Sequence, residues 1–419
     1  MMTRCFATLS LLALCLTAPP AGGTPPATQP ARPGLTVSDD GILLRDGQPY
    51  RGVGINYFGA FYDIVRPGGN GRYVKGFQIL ADHDVPFIRF AATPFWPKHY
   101  ELYLANKAEY FRRFDALVDE AERRGIGLIP SLFWNQMSVC DVVGEPRSAW
   151  GDPGSKTLGF MRRYTREVVT RYRDRKAIWA WEFGNEFNLP ADLPNAPRHR
   201  PKVNVPLGTP ATRSADDDIT GEVIVTAFTE FATLVRQLDP HRPILSGNSR
   251  PRPYAWHNAH EGSWVTDTRA QFAAMLRRDN PDPMDMLSIH LYARPKQSFF
   301  PDEADEAELI RAAMAASREL RKPLFIGEFG ASRKLWSGRE RPRNEALLAA
   351  IERYEVPLAA VWVFDYPPQD GQFNIWPEND LAYILDLLRA ANRRLSAGAS
   401  PPRSAPAAPH AATQPPASR

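Results

Sequence analysis

Apolar runs and amphipathic stretches alternate eight times along this chain, and that alternation limits the fold more than any other feature of the sequence. The strand-like runs are residues 51–56, 86–92, 126–133, 178–186, 244–248, 286–292, 323–329 and 359–365. Residues 71–84, 107–124, 156–173, 219–238, 268–279, 303–321, 341–355 and 379–394 carry apolar positions at helical spacing. Strict alternation implies a parallel sheet, because each connection must cross back over it. Eight such units within about 360 residues fit an α/β fold closed into a (β/α)8 TIM barrel with long βα loops. A doubly wound open sheet is the alternative. It calls for a glycine-rich phosphate turn after the first strand, and Gly52-Val53-Gly54-Ile55-Asn56-Tyr57 lacks the third glycine. Asp46-Gly47 within 41–50 marks a short N-terminal β-hairpin ahead of the barrel.

The two ends read differently. Arg4, the apolar run from Phe6 to Leu16 and the small residues around Ala18 and Ala21 have the pattern of a signal peptide over residues 1–21. The run is too short to span a bilayer, and no membrane span is expected in the mature chain. A lipoprotein anchor at Cys15 is disfavoured, since Leu14 before it is larger than the small residue such sites carry. Residues 22–34 form a Pro/Ala-rich linker and residues 396–419 a Pro/Ala/Ser-rich tail, and neither has the apolar surface to offset its ordering entropy. The folded domain is therefore expected over 35–395, secreted to an extracellular or periplasmic space, and monomeric. Cys5 and Cys15 leave with the signal, so only Cys140 remains, as a loop thiol with no partner for a disulfide. A formal charge of +4 over 419 residues, with no basic run, argues against nucleic acid as a partner.

The stretch Trp179 to Phe187 shows where the chemistry lies. Trp179, Trp181 and Phe183 alternate, and Ile178 and Ala180 keep the opposite face apolar, as in a parallel strand buried on both sides. Asn185-Glu186 then stands where the strand emerges, and barrels carry their active sites at the carboxyl ends of their strands. The other strand ends supply Asn56-Tyr57, Arg89, Phe133-Trp134-Asn135, His290, Tyr292, Glu328, Trp362 and Asp365. Two facing carboxylates with aromatic platforms suit glycoside hydrolysis: one protonates the leaving oxygen, the other attacks the anomeric carbon, and flat rings stack on sugar faces. Trp134 and Trp336 are candidate platforms. The long loop 187–219, with Trp256, His257 and Trp264, is a candidate rim, and Glu182 a supporting residue. A catalytic metal would want several His or Asp ligands on strand ends. Of eight histidines only His290 lies on one, so no metal and no cofactor is expected.

With these residues in this order, the chain resembles the clan A (β/α)8 glycoside hydrolases, and most closely glycoside hydrolase family 5, which includes cellulases and β-mannanases. The resemblance rests on Arg89, Asn185-Glu186, His290-Leu291-Tyr292, Glu328 within Ile-Gly-Glu-Phe-Gly, and Trp362, and covers the whole barrel. It implies that Glu186 is the acid/base and Glu328 the nucleophile of a retaining endo-β-1,4-glycanase acting on mannan or cellulose-like polysaccharide. Asn185 would hold the sugar 2-hydroxyl, and Arg89 and Tyr292 would bond Glu328 and keep it ionised. His290 would orient the acid/base side, and Trp362 would floor the subsite of the reacting sugar. Many cellulases of the family also carry a histidine near the end of the third strand, where this chain has Phe133-Trp134-Asn135; mannanases often lack it. Exo-acting or transglycosylating chemistry on the same fold, or a barrel that only binds carbohydrate, are the competing functions. A cation and a phenol are expected to lower the pKa of Glu328, and its charge to raise that of Glu186.

Overall fold

The computed structural model describes residues 34–69, 71–295, 298–302 and 304–398. The expected signal peptide, the linker up to residue 33 and the tail beyond residue 398 lie outside the described residues. A small antiparallel sheet comes first, with β1 (Leu35–Val37), β2 (Leu43–Arg45) and β3 (Gln48–Pro49). The turn between β2 and β3 is Asp46-Gly47, both at positive φ, as the sequence indicates. The strand β1 that pairs with this hairpin was too short to show in the sequence pattern.

The barrel strands are β4 (Gly52–Asn56), β5 (Phe87–Ala91), β6 (Gly127–Phe133), β7 (Trp181–Gly184), β8 (Ile244–Leu245), β9 (Leu287–Tyr292), β10 (Leu324–Gly330) and β11 (Leu358–Val361). All neighbours are parallel, in the order β8-β7-β6-β5-β4-β11-β10-β9. Because β4 pairs with both β5 and β11, the sheet curls into a barrel rather than opening at a doubly wound edge. The seam lies between β8 and β9. One backbone bond, Asp285 N to Ile244 O at 3.0 Å, crosses it, and Asn280 Oδ1 bridges it by accepting from Ser246 Oγ (2.7 Å) and Ser288 N (3.1 Å).

Three strands are well short of what the sequence indicates: 178–186 keeps only Trp181–Gly184, and the other two end early for local reasons. The expected strand 244–248 stops at Leu245, because Gly247 turns into the left-handed region (φ +72°), where a Cβ would meet Gly184 O at 2.0 Å. The expected strand 359–365 leaves the barrel ladder after Val361, and residues 363–365 instead pair with 373–375 through Val363 N to Phe373 O and Ile375 N to Val363 O. The long helices fall where helical spacing places them. Lys107–Arg124 starts on Asn106, whose side chain accepts from Glu109 N at 3.1 Å, and ends at Gly125 (φ +68°). Its buried Tyr110, Phe114, Leu117, Val118 and Ala121 form the stripe that packs on the barrel. Cys140 lies in a short helix, Ser138–Val143, and is fully buried rather than on a loop; burial pushes its thiol up. Among the described residues no helix is long and apolar enough to cross a membrane.

Inside the barrel the amino-terminal mouth is stoppered. Leu35 and Leu43 pack with Phe87, Ile129, Trp179, Leu245, Phe325 and Leu358, all buried. Trp179 is the centre of this plug: its carbonyl accepts from Leu35 N (3.1 Å), Tyr50 meets its ring edge-on, and the Arg45 guanidinium covers it at 4.4 Å. The opposite mouth opens into a cleft of about 950 Å³, at the upper end of ligand-pocket sizes.

Candidate active site

Arg89 on β5 is the hub of the cleft floor. It is fully buried, and its guanidinium donates to four side chains. Nε donates to both carboxylate oxygens of Glu182 (2.8 and 2.9 Å), Nη1 to Glu328 (2.9 Å) and Asn56 (3.1 Å), and Nη2 to Asn185 (2.8 Å). The Trp134 ring closes one face of it at 4.3 Å. Such a cation is stable inside a protein only because carboxylates surround it. Burial works against its charge, yet Glu182 and Glu328 outweigh that and raise its pKa.

Glu328 sits on β10 and is aimed by a bulge. The register of β10 against β9 shifts between Ile326 and Glu328, with Gly327 as the extra residue. A Cβ at Gly327 would lie 2.8 Å from His290 Nε2, so only glycine leaves room for that ring. Asn56 Nδ2 holds the bulge by donating to Gly327 O at 2.8 Å. The Glu328 carboxylate then accepts from Arg89 on one oxygen and from the Tyr292 hydroxyl on the other.

Glu186 follows β7 in the left-handed region, φ +53°, a conformation that costs a non-glycine residue roughly 1–2 kcal/mol. It is pinned on both sides: its N–H donates to Gly247 O (3.0 Å), and Gln136 Nε2 donates to its carbonyl (2.8 Å). Its side chain is 28% exposed, against 5% for Glu328, and shares a 3.0 Å hydrogen bond with His290 Nδ1. Burial brings the pKa of His290 down to about 4, so the ring is neutral at mild pH. One polar atom each from Glu186, His290 and Glu328 lie within 4.8 Å of one another. That spacing could also hold a cation, but both Glu328 oxygens are already engaged by Arg89 and Tyr292.

The electrostatics depart from the expectation in one respect. Burial raises the Glu328 carboxyl and the nearby Glu186 charge adds to this, while His290, Arg89 and Tyr292 only partly offset it. Arg89 is also shared, since Glu182 takes its Nε bidentately. Glu186 is raised as well, by burial, with Ser249, Arg89, Arg250 and Arg294 opposing. Glu328 bonds the cation and the phenol, which favour its charged form.

All eight expected residues, Arg89, Trp134, Asn185, Glu186, His290, Tyr292, Glu328 and Trp362, converge here. Trp134 and Trp362 stack 6.0 Å apart on the cleft wall, and Gln369 fixes the Trp362 indole N–H at 2.8 Å. Loop 187–219 does line one end, through Leu189, Pro190, Pro201, Lys202, Thr209 and Arg213. Other expectations fail. Trp336 is no platform: its N–H donates to Ala293 O at 3.3 Å, it packs under Arg343, and it lies outside the cleft lining. Trp256 stacks on His260, His257 pairs with Asp267 (2.7 Å) and Trp264 packs on Tyr254, all away from the cleft. Tyr57 donates to Asp365 (2.9 Å) on the flank. Ser249, Arg250, Phe58, Phe95, Tyr366 and Phe373 line the cleft without a sequence signal, because most stand on irregular loops.

Two carboxyls this close, one bonded by a cation and a phenol and one beside a neutral imidazole, can serve as nucleophile and proton donor, and the chain is a (β/α)8 barrel that carries the pair at its carboxyl mouth. Known proteins narrow that class. A family model described as Cellulase (glycosyl hydrolase family 5) matches residues 72–366, and the chain belongs to this family. It is 32% identical over 229 residues to the probable mannan endo-1,4-beta-mannosidase C of Aspergillus terreus, covering 52% of this chain and 49% of that protein. It is 24% identical over 329 residues to mannan endo-1,4-beta-mannosidase 1 of Oryza sativa subsp. japonica, covering 70% of this chain and 67% of that one. The chain thus spans about half to two thirds of the length of these relatives. The fold is shared with the endo-1,4-beta-mannanase of Rhizomucor miehei at a TM-score of 0.63, with 17% identity, over 87% of this chain and 99% of that chain.

Proposed function

We propose that the protein is a secreted retaining β-glycoside hydrolase that cleaves β-1,4-linked polysaccharide of the mannan type by double displacement. The observation that carries this reading is the spacing of the two glutamates, with oxygens within 4.8 Å. Retaining enzymes hold their carboxyls about 5–5.5 Å apart, whereas inverting ones leave roughly 6.5–9.5 Å for a water. Glu328 attacks the anomeric carbon as Glu186 gives its proton to the leaving oxygen. Glu186 then takes a proton from the water that releases the sugar. Tyr292 and Arg89 hold Glu328 in line, and His290 keeps Glu186 facing the scissile bond. Asn185, fixed by Arg89, offers its amide N–H to the sugar 2-hydroxyl, and Trp362 supports the sugar ring. The aromatic wall suits the apolar faces of sugars.

Mannan is favoured over cellulose by the names of both relatives and by Phe133-Trp134-Asn135 where many cellulases of the family have a histidine. Export follows from the signal pattern of residues 1–21. The test is a panel of mannan, glucomannan and cellulose with NMR of the first-formed product. Release of the β-anomer from mannan is expected; initial release of the α-anomer, or binding without turnover, would overturn the reading. Product sizes over time separate endo cleavage from exo action and transglycosylation.

A further inference from the structure

The loops after β8 and β9 bring two guanidinium groups to the cleft beside Glu186 that no carboxylate among the described residues neutralises. Arg250 and Arg294 both line the cleft. The Arg250 guanidinium lies 4.6 Å over the Phe299 ring, and the one hydrogen bond it makes among the described residues is long, Nη1 to Pro251 O at 3.4 Å. Glu186 and Glu306 are the acidic groups that act on Arg250, and Glu306 receives the backbone N–H of Arg294 at 3.3 Å, not a guanidinium. Burial and the like charge of Arg294 lower the pKa of Arg250 to about 10, which leaves it cationic at neutral pH.

The other arginines of the cleft wall have structural partners. Arg213 donates to both carboxylate oxygens of Asp141 (2.7 and 2.9 Å). Arg147 donates to Asp217 O (2.7 Å) and Gln136. Arg252 ties down the carbonyls of Asn188, Leu189 and Ala191 at 2.6–2.8 Å. Among the described residues, Arg250 and Arg294 hold nothing comparable. Two like charges that line one cleft, Arg250 half-buried and Arg294 exposed, repel each other until an anion enters. A neutral polysaccharide supplies none.

Their position tells which part of a substrate would bring the anion. Both charges act on the Glu186 carboxyl. That group faces the leaving oxygen, while Glu328 and Trp362 take the other sugar. We propose that Arg250 and Arg294 form a subsite for the carboxylate of a uronic acid residue on the leaving-group side of the scissile bond. The natural substrate is then a β-linked glycan with acidic sugars, and the subsite rests on the glycosidase reading above. A guanidinium fork matches a planar carboxylate, with charge-assisted bonds on both oxygens. Seating the anion also screens the two cations from Glu186, so that the proton donor holds its proton more firmly when the acidic substrate is in place.

Two matched oligosaccharides test this, identical through the scissile mannoside and differing only at C6 of the leaving-group sugar, hydroxymethyl in one and carboxylate in the other. The wild-type enzyme should favour the acidic chain in kcat/KM by roughly tenfold or more at low ionic strength, the gain expected of a charged hydrogen bond. Added salt should shrink the ratio. Arg250→Gln and Arg294→Gln, with melting temperatures checked, should bring the ratio close to one. A wild-type ratio of one or below, or a preference untouched by both substitutions, would overturn the subsite. If neither chain is cleaved, the glycosidase reading fails. The subsite is then judged by calorimetry of the Glu328→Gln protein with the same two chains: tighter binding of the acidic chain that is lost in Arg250→Gln supports it, and equal affinity sinks it.

Discussion

The two mouths of the barrel are built from the same eight strands and hold opposite chemistry. At the amino-terminal mouth, inward side chains such as Phe87, Ile129, Phe325 and Leu358 meet Leu35 and Leu43 of the small sheet, with Trp179 between them. At the carboxyl mouth, two residues beyond Phe87 on β5, the inward side chain is Arg89, and its donors are divided among Glu182, Glu328, Asn56 and Asn185. The apolar end asks of its residues only volume and shape, and alternatives of similar size serve. The polar end asks for defined donors and acceptors, because any one left unmatched is costly in a buried site. Stability and chemistry are therefore separable by position along the strand.

The largest effect should come from the carboxylates. Glu186→Gln and Glu328→Gln should each lower kcat on polysaccharide by about 10²–10⁴-fold or more, with melting temperatures near wild type. An aryl glycoside whose leaving group needs no proton should partly restore Glu186→Gln but not Glu328→Gln, and equal restoration of both would reverse the assigned roles. Arg89→Met should blur the division between the two ends. It leaves two carboxylates buried without their cation, so activity should vanish and denaturant melts should show a loss of about 3–5 kcal/mol. Gly327→Ala places a methyl group against His290, 2.8 Å from Nε2, and should cost about 10–100-fold in kcat by misplacing the imidazole beside Glu186.

Trp179→Ala, at the other end, should destabilise the fold by about 3–5 kcal/mol while the protein that remains folded keeps its kcat/KM. A matching loss of activity would show that the ends are coupled. The smallest effect is on pH dependence. Activity needs Glu328 ionised and Glu186 protonated, so it falls as pH drops through the first titration of the pair and falls again as pH rises through the second. Burial raises both carboxyls, so both limbs should lie above the usual glutamate range. Arg250 pulls the Glu186 carboxyl down. Arg250→Gln should therefore shift the alkaline limb of kcat/KM to higher pH on a neutral substrate, and an unmoved limb would show that this charge does not reach the proton donor.

Much of the site was legible because it stands on strand ends. Arg89, Glu186, His290, Tyr292, Glu328 and Trp362 each follow or close an apolar run, so their convergence follows from the barrel alone. Trp336, Trp256 and Trp264 were misplaced because an aromatic residue on a loop has no periodicity to aim it, and all three pack on local neighbours. The loop residues Ser249 and Arg250 went unseen for the same reason.

Strand and helix periods, the order of the elements and the polar residues that end the strands are local properties, carried by neighbours in sequence, and they sufficed for the barrel and for placing Glu186 and Glu328 at its carboxyl mouth. Three things depended on residues far apart in the chain. Arg89 turned out to be divided between Glu182 and Glu328, 93 and 239 residues away, and burial outweighs its charge at the Glu328 carboxyl. Leu35 and Leu43 became the stopper of a mouth formed by strands they precede. Arg250 and Arg294, ordinary basic residues in the sequence, line the cleft near Glu186 with no carboxylate ion pair among the described residues. Burial and pairing arise from what the whole fold brings alongside a group, and no window of sequence contains that.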